Sequence, residues 1–241
     1  MSERPERPIE PRQRWRLVVA RTADAPDEAQ REVADRWVSA IEAAGLPVAW
    51  TEGARSRPRI SFGAPLPIGM AANGELIDVV LCERWPAWRV REALLGLVPA
   101  GWQLVELHDV WLAGPPLAGR VAAADYEVVL SGDVPVDRIG KAAAELLTAP
   151  NLPRQRVRGD ASVEYDLRPL LLDVTVERGP PLRVLTRTRL HPELGTGRPE
   201  EVVAALGDRA GLALEIASVI RERLVLAEDL PLEPIQATIT G

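Results

Sequence analysis

Residues 15–48, WRLVVARTADAPDEAQREVADRWVSAIEAAGLPV, hold the pattern that decides the fold. The run at 15–21 is rich in β-branched and apolar residues, which is typical of a strand. An Asp and a Pro beyond it favour helix initiation, and apolar side chains then recur at helical spacing until Gly45, a residue type that commonly ends helices. The sequence therefore predicts a strand, a helix over about 27–44 and a returning strand near 47–51.

Working outward, turns and apolar runs predict further elements towards the C-terminus. These are a helix at about 86–98 and strands at about 59–62, 75–83 and 102–112. The order strand, helix, strands, helix, strand is that of the ferredoxin-like split βαβ fold, in which helices cover one face of a mostly antiparallel sheet. After a linker at 114–124 a similar order begins again, with elements at about 126–130, 135–148, 154–190 and 200–206.

We therefore expect an α+β protein built of two ferredoxin-like halves with mostly antiparallel sheets, rather than one large sheet. The expected divisions are a disordered arm at 1–13, domains at 14–113 and 125–226, and a C-terminal tail at 227–241. The segment 212–226 is open between helix and strand, because its apolar residues have helical spacing while its last four, RLVL, favour a strand.

Composition excludes several kinds of chemistry. The chain has one cysteine, Cys82, and two separated histidines, His108 and His191, so it lacks the clustered ligands that an iron–sulfur cluster or a typical zinc site requires. No serine or cysteine nucleophile motif is present. We accordingly expect no metal, no cofactor and no catalytic residues.

The charge pattern limits the partners. A net charge of -6 argues against wholesale binding to nucleic acid or acidic membranes. Local patches can still bind anions, because all of the 29 basic residues except Lys141 are arginine. The N-terminus lacks an apolar segment and no apolar run approaches the roughly 18 residues of a membrane span, so we expect a cytoplasmic protein without a membrane partner.

Three stretches together resemble the uncharacterised bacterial family of radical-SAM-linked proteins. The first is AGLPVAW at 44–50, followed by EG and then by RPRISFGAPLPIG at 57–69; the others are ELIDV at 75–79 and GTGRPEEV at 195–202. The match spans about residues 14–226 and is that of a diverged member, since the turn GARSRP at 53–58 lacks the aromatic residue and the asparagine of the family's turn.

The resemblance implies a radical SAM enzyme as partner. A chain with one cysteine cannot bind the partner's iron–sulfur cluster itself, so the implied role is that of a non-catalytic accessory protein that presents a substrate or RNA. The alternative is a free-standing, metal-independent RNA-binding or RNA-processing protein of ferredoxin-like fold.

The best candidate for a ligand site is the loop that carries Arg55, Arg57 and Arg59. Three guanidinium groups within five residues could bind a phosphate or a carboxylate in bidentate fashion. The open alternative is a solvated turn whose arginines pair with Glu52 and Glu75.

Two further residues are predicted to contribute to the ligand site. Trp50 is the aromatic residue nearest to the arginines in sequence and could stack a base. Arg198 precedes a predicted helix, and helix N-termini attract anions, although helix capping is the simpler explanation of that segment.

Other polar patterns favour structural roles. RQRVR at 154–158 places three arginines on one face of a strand, which we interpret as an exposed sheet face rather than an anion site. Asp78, and Asp166 with Asp173, could serve acid–base chemistry, but salt bridges are the commoner fate of such carboxylates.

Overall fold

The computed structural model describes residues 10–158 and 161–231, and these form a mixed α+β protein with a mostly antiparallel sheet, as expected. Residues 1–9 and 232–241, which belong to the expected arm and tail, lie outside the described residues. Within the described ranges, none of the helices has the length and apolar character that crossing a membrane requires.

Six elements form the N-terminal half and nine form the C-terminal half. The first six are β1 (Gln13–Arg21), α1 (Gln30–Ala43), β2 (Ile60–Phe62), β3 (Ala71–Leu81), α2 (Ala87–Leu94) and β4 (Trp102–Val110). The others are β5 (Val121–Leu130), α3 (Val136–Thr148), β6 (Pro153–Arg158), β7 (Ala161–Asp166), β8 (Leu171–Glu177), β9 (Arg183–His191), β10 (Gly195–Thr196), α4 (Pro199–Ala210) and β11 (Ile216–Leu226).

Three local predictions change. The returning strand at 47–51 is reduced to two isolated bridges, Val48 with Leu81 and Trp50 with Pro58. The segment at 212–226 is resolved as a strand, because β11 pairs with β5 along most of its length. The strand β5 begins inside the predicted linker, at Val121.

Strands of both halves share one sheet. Its order is β10-β9-β5-β11-β3-β1-β4, with β2 also paired to β3 and β8 to β9. The expectation of two sheets is therefore wrong. The short β2 covers only Ile77 to Val79 of β3, which leaves Ala71 and Ala72 free to pair in parallel with β11.

The strand order of the first half is repeated in the second. The first half has the order β4-β1-β3-β2 and the second has the order β11-β5-β9-β8, with all neighbours within each half antiparallel. The hairpin β6-β7 forms a sheet of its own.

Each half has its own apolar core. Side chains of β1 and β3 pack against α1 and α2 around Leu17, Trp37 and Ile77, and Trp37 meets Trp102 edge to face at 5.9 Å between ring centroids. Side chains of β5, β8 and β9 pack against α3 and α4 in the second half. A smaller cluster, which includes Met70 and Tyr126, joins the two halves.

Candidate anion-binding loop

The loop between Trp50 and Arg59, hereafter the arginine loop, is closed by hydrogen bonds that do not involve its guanidinium groups. The amide of Thr51 donates to the carbonyl of Arg57 at 2.9 Å, and the amide of Arg57 donates to Oγ1 of Thr51 at 3.0 Å. The hydroxyl of Ser56 donates to the Thr51 carbonyl at 2.7 Å. Backbone and hydroxyl groups thus shape the turn, and the arginine side chains are not needed to hold it together.

The base of the arginine loop is tied to the sheet. The amide of Arg59 donates to the carbonyl of Ala49 at 2.8 Å, and the carbonyl of Arg59 accepts a hydrogen bond from the amide of Val80 in β3 at 3.0 Å. Gly53 has a φ of 99°, which L side chains rarely adopt, and no atom lies within 4 Å of the position where a Cβ would stand. The turn is therefore fixed at its base and open at its tip.

The guanidinium groups of Arg55, Arg57 and Arg59 are exposed and have no hydrogen bond, ion pair or ring contact within the described residues. Among the other arginines whose side chains are described, only Arg84 and Arg198 share this property. Three cations within five residues therefore have no acceptor in the part of the chain that the structure describes.

The alternative in which this loop pairs with Glu75 is wrong. Glu75 is buried, and its carboxylate binds the guanidinium of Arg221. Glu52 is exposed and makes no described ion pair.

The structure brings Trp50 next to the arginines but leaves Arg198 in the other half. Trp50 is half-buried and forms a bridge with Pro58, between Arg57 and Arg59. Arg198 is the exposed N-cap residue of α4, where the amide of the next-door Gly197 donates to the carbonyl of Arg189 in β9 at 3.0 Å. No described hydrogen bond or ion pair joins Arg198 to the arginine loop.

The carboxylate of Asp78 takes part in buried salt bridges. Its buried carboxylate accepts hydrogen bonds from Nε of Arg14 at 2.9 Å and from Nε of Arg16 at 2.8 Å, and both arginines are buried. Arg14 also donates to the carbonyls of Gly114 and Pro115, which fixes the connection between the halves against the sheet. All of these groups have partners, so the interpretation as a salt bridge is preferred over acid–base chemistry.

A second buried cluster, which sequence reasoning missed, lies where the halves meet. Nε of Arg221 in β11 donates to Oε1 of Glu75 at 2.7 Å, and the same guanidinium donates to the carbonyls of Ala64 and Pro65 at 3.2 and 2.9 Å. Burial acts to lower the pKa of Arg221, but hydrogen bonds from its guanidinium to Glu75 and the charge of that carboxylate hold this pKa above its ordinary value. Burial raises the pKa of the neighbouring Tyr126. The sequence signal was the presence of charged residues on two mostly apolar strands, Glu75 and Asp78 on β3 and the run 221–223 on β11.

The arginines of β6 bind α4 rather than solvent. Arg154 pairs with Asp208 at 2.5 Å and Arg156 pairs with Glu201 at 3.0 Å, with the guanidinium of Arg156 also lying 4.5 Å from the ring centre of Tyr165. The side chain of Arg158 lies outside the described residues. The predicted exposed face is therefore wrong for Arg154 and Arg156, because α4 supplies carboxylates along its length.

The carboxylate of Asp166 also has structural partners. Oδ1 of Asp166 accepts hydrogen bonds from the amides of Leu152 and Arg168 at 2.7 and 2.9 Å. Across residues 10–158 and 161–231, no three His, Cys, Asp or Glu side chains are grouped so that they could hold a metal ion.

Comparison with known proteins assigns no activity. The family model described as "Uncharacterized protein conserved in bacteria (DUF2344)" matches residues 14–202. No curated protein matches the sequence.

The chain is also similar to several solved structures. A Cbf5-Nop10-Gar1 complex aligns with a TM-score of 0.46 and 12% identity over 86% of this chain and 48% of that chain. An H/ACA RNP bound to a substrate RNA containing 2'-deoxyuridine aligns with a TM-score of 0.43 and 16% identity over 86% and 47%. An unknown protein from Galdieria sulphuraria aligns with a TM-score of 0.24 and 15% identity over 85% and 96%. The chain thus spans about half of the length of the first two chains it matches.

Proposed function

We propose that this chain, which belongs to the bacterial family described as "Uncharacterized protein conserved in bacteria (DUF2344)", is a non-catalytic RNA-binding protein whose arginine loop contacts RNA phosphates. The observation that carries the proposal is the absence of any described acceptor for Arg55, Arg57 and Arg59, whereas almost all of the other arginines with described side chains contact carboxylates, carbonyls or rings. Phosphate oxygens are the acceptors for which a guanidinium has the best geometry.

The net charge of the chain favours RNA binding by one loop over RNA binding along a whole face. A chain of net charge -6 has no excess of cations with which to bind nucleic acid along a whole face. The arginine loop is fixed at its base and carries three guanidinium groups without an acceptor among the described residues, so it concentrates positive charge at one point, and Trp50 lies beside it. We therefore propose a short single-stranded RNA segment as the ligand.

The test compares two triple variants of the full chain. The R55A/R57A/R59A variant should bind a single-stranded RNA oligonucleotide more weakly in fluorescence anisotropy, and the slope of log affinity against log salt should fall by about 2 units. The control, R31A/R178A/R209A, removes three arginines that pair with carboxylates at the surface and changes the net charge equally. An equal loss in both variants, or a wild-type chain that binds no RNA, would contradict the proposal.

The proposal extends to the fold of the two halves. We infer that each half is a ferredoxin-like unit, supported by the repeated strand orders β4-β1-β3-β2 and β11-β5-β9-β8. The predicted divisions at 14–113 and 125–226 stay a prediction.

A radical SAM enzyme remains the proposed partner to which the RNA or other substrate is presented. The support is the resemblance of the three sequence stretches, together with a single cysteine, which leaves the cluster to the partner. Affinity capture of the tagged full chain from its native cells should enrich such an enzyme over an untagged control, and the loop variant should retain the enzyme while losing RNA. Cleavage of RNA by the purified chain would favour the alternative of a free-standing RNA-processing protein.

A further inference from the structure

Five arginines of the first half have no hydrogen bond or ion pair within the described part of the chain. Three belong to the arginine loop, and the other two, Arg84 and Arg89, lie in the segment 82–89, which leads from β3 into α2. The guanidinium carbon of Arg89 lies 3.7 Å from the ring centre of Trp85, a contact that uses none of its N–H donors. Elsewhere, Arg198 is the only arginine with a described side chain that lacks such bonds.

Backbone hydrogen bonds hold this segment close to the arginine loop. The amide of Cys82 donates to the carbonyl of Pro47 at 2.8 Å, and the amide of Val80 donates to the carbonyl of Arg59, at the base of the arginine loop, at 3.0 Å. Arg84 is four residues beyond Val80, so at most about 14 Å separates the Cα atoms of these two residues. The five arginines therefore gather at one end of β3.

This end of the first half combines positive charge with an exposed aromatic ring. The segments 47–59 and 82–89 hold five arginines and two glutamates, a net charge of +3 in a chain whose net charge is -6. Trp88, in the first turn of α2, is 66% exposed. Cations beside an exposed ring are the features with which proteins bind single-stranded nucleic acid, because the phosphates attract the cations and the bases stack on the ring.

We propose that Arg84, Trp88 and Arg89, hereafter the Trp88 patch, form a second contact point for the RNA that the arginine loop binds. This inference rests on the proposed function and deepens it. Arg84 binds a phosphate and the ring of Trp88 stacks a base, so the RNA extends from the arginine loop past the end of β3 to the start of α2. The RNA is single-stranded at this point, since a base stacked within a duplex offers no free face to a ring.

The stacking contact is tested with two variants of Trp88 in the full chain. The fluorescence anisotropy of a labelled single-stranded oligouridine measures the affinity. Trp88→Leu keeps an apolar side chain but removes the ring, and it should weaken binding about tenfold. Trp88→Phe keeps a ring and should stay within about threefold of wild type. Because stacking involves no charge, neither variant should change the slope of log affinity against log salt.

The phosphate contact is tested through the salt dependence. Arg84→Ala should lower the slope of log affinity against log salt by about 0.7 units, the value for one phosphate of a single strand. The matched control, Arg178→Ala, changes the net charge equally but removes an exposed arginine that pairs with Asp137 in the other half, and it should keep the slope of wild type. An equal fall of the slope in both variants would overturn the phosphate contact.

Failure of this inference differs from failure of the proposed function. If Trp88→Leu and Arg84→Ala bind RNA as wild type does while R55A/R57A/R59A binds it more weakly, the Trp88 patch is not part of the site and the arginine loop remains. A wild-type chain that binds no RNA overturns both. Equal weakening by Trp88→Leu and Trp88→Phe overturns the stacking. Displacement of the RNA by an equal concentration of a glutamate-rich peptide would assign the Trp88 patch to a protein partner instead. Circular dichroism confirms that each variant is folded.

Discussion

The molecule uses arginine in two opposite ways. At Arg14, Arg16 and Arg221 the guanidinium is buried between strands and donates hydrogen bonds to a carboxylate of the same chain. In the arginine loop the guanidinium groups are exposed and have no acceptor within the described residues. The difference teaches that residue type alone does not assign a role in an arginine-rich chain, because the fold supplies acceptors to some guanidinium groups and leaves others exposed to solvent.

The largest loss of stability is expected when the buried arginines lose their carboxylate. Asp78→Asn removes the carboxylate that Arg14 and Arg16 share and leaves two buried cations without a counter-charge. We expect the free energy of unfolding to fall by about 4 kcal/mol, as when one partner of a buried pair is removed. Urea denaturation followed by tryptophan fluorescence measures it, and a loss below about 1 kcal/mol would mean that water reaches these groups.

A somewhat smaller loss is expected at the junction of the halves. Arg221→Met leaves one buried charge, Glu75, without its counter-charge, and we expect the free energy of unfolding to fall by about 3 kcal/mol. The variant also releases the carbonyls of Ala64 and Pro65. Hydrogen exchange should therefore accelerate in residues 63–70 more than in α3, and uniform acceleration would show that Arg221 stabilises the whole chain rather than this loop.

An intermediate case is the half-buried Asp125, which pairs with the half-buried Arg187 and the exposed Arg223. Arg187 and Arg223 lie at 2.6 and 2.7 Å from its carboxylate. Burial acts to raise the pKa of Asp125, but the hydrogen bonds from the two arginines outweigh it and hold this pKa below its ordinary value.

The consequence is a dependence of stability on pH. Because the pKa is lower in the folded chain, the contribution of Asp125 is complete above its unfolded pKa of about 3.9 and is lost as the pH falls through the folded value. Asp125→Asn should cost about 1 kcal/mol at neutral pH and should make the unfolding free energy less sensitive to acid. Urea titrations at neutral and acidic pH measure both effects. If the unfolding free energy of the variant and that of the wild type fell by the same amount between neutral and acidic pH, this role of Asp125 would be ruled out.

The sequence predicted what is local and missed what depends on distant pairing. The arginine loop was accessible to prediction because its glycine, prolines and arginines lie within a few residues. Asp78 is separated in sequence from its partners Arg14 and Arg16 by 64 and 62 residues, and Arg221 is separated from Glu75 by 146 residues. No local pattern therefore indicates either cluster. The same holds for β11, whose apolar spacing fits a helix or a strand and whose state is decided by pairing with β5 and β3. Pairing of β11 with β3 also decides that the halves share one sheet.

The smallest change in stability is expected when the exposed arginines of the arginine loop are replaced. In R55A/R57A/R59A the turn keeps the hydrogen bonds of Thr51, Ser56 and the Arg57 backbone, because none of them uses a guanidinium group. The free energy of unfolding should therefore change by less than about 0.5 kcal/mol, as for surface substitutions that break no contact. Urea denaturation on the same samples used for RNA binding makes the two measurements comparable. If the triple variant lost as much stability as Asp78→Asn, the loop arginines would have acceptors in the folded chain, and weaker RNA binding by that variant would then reflect unfolding rather than a lost contact.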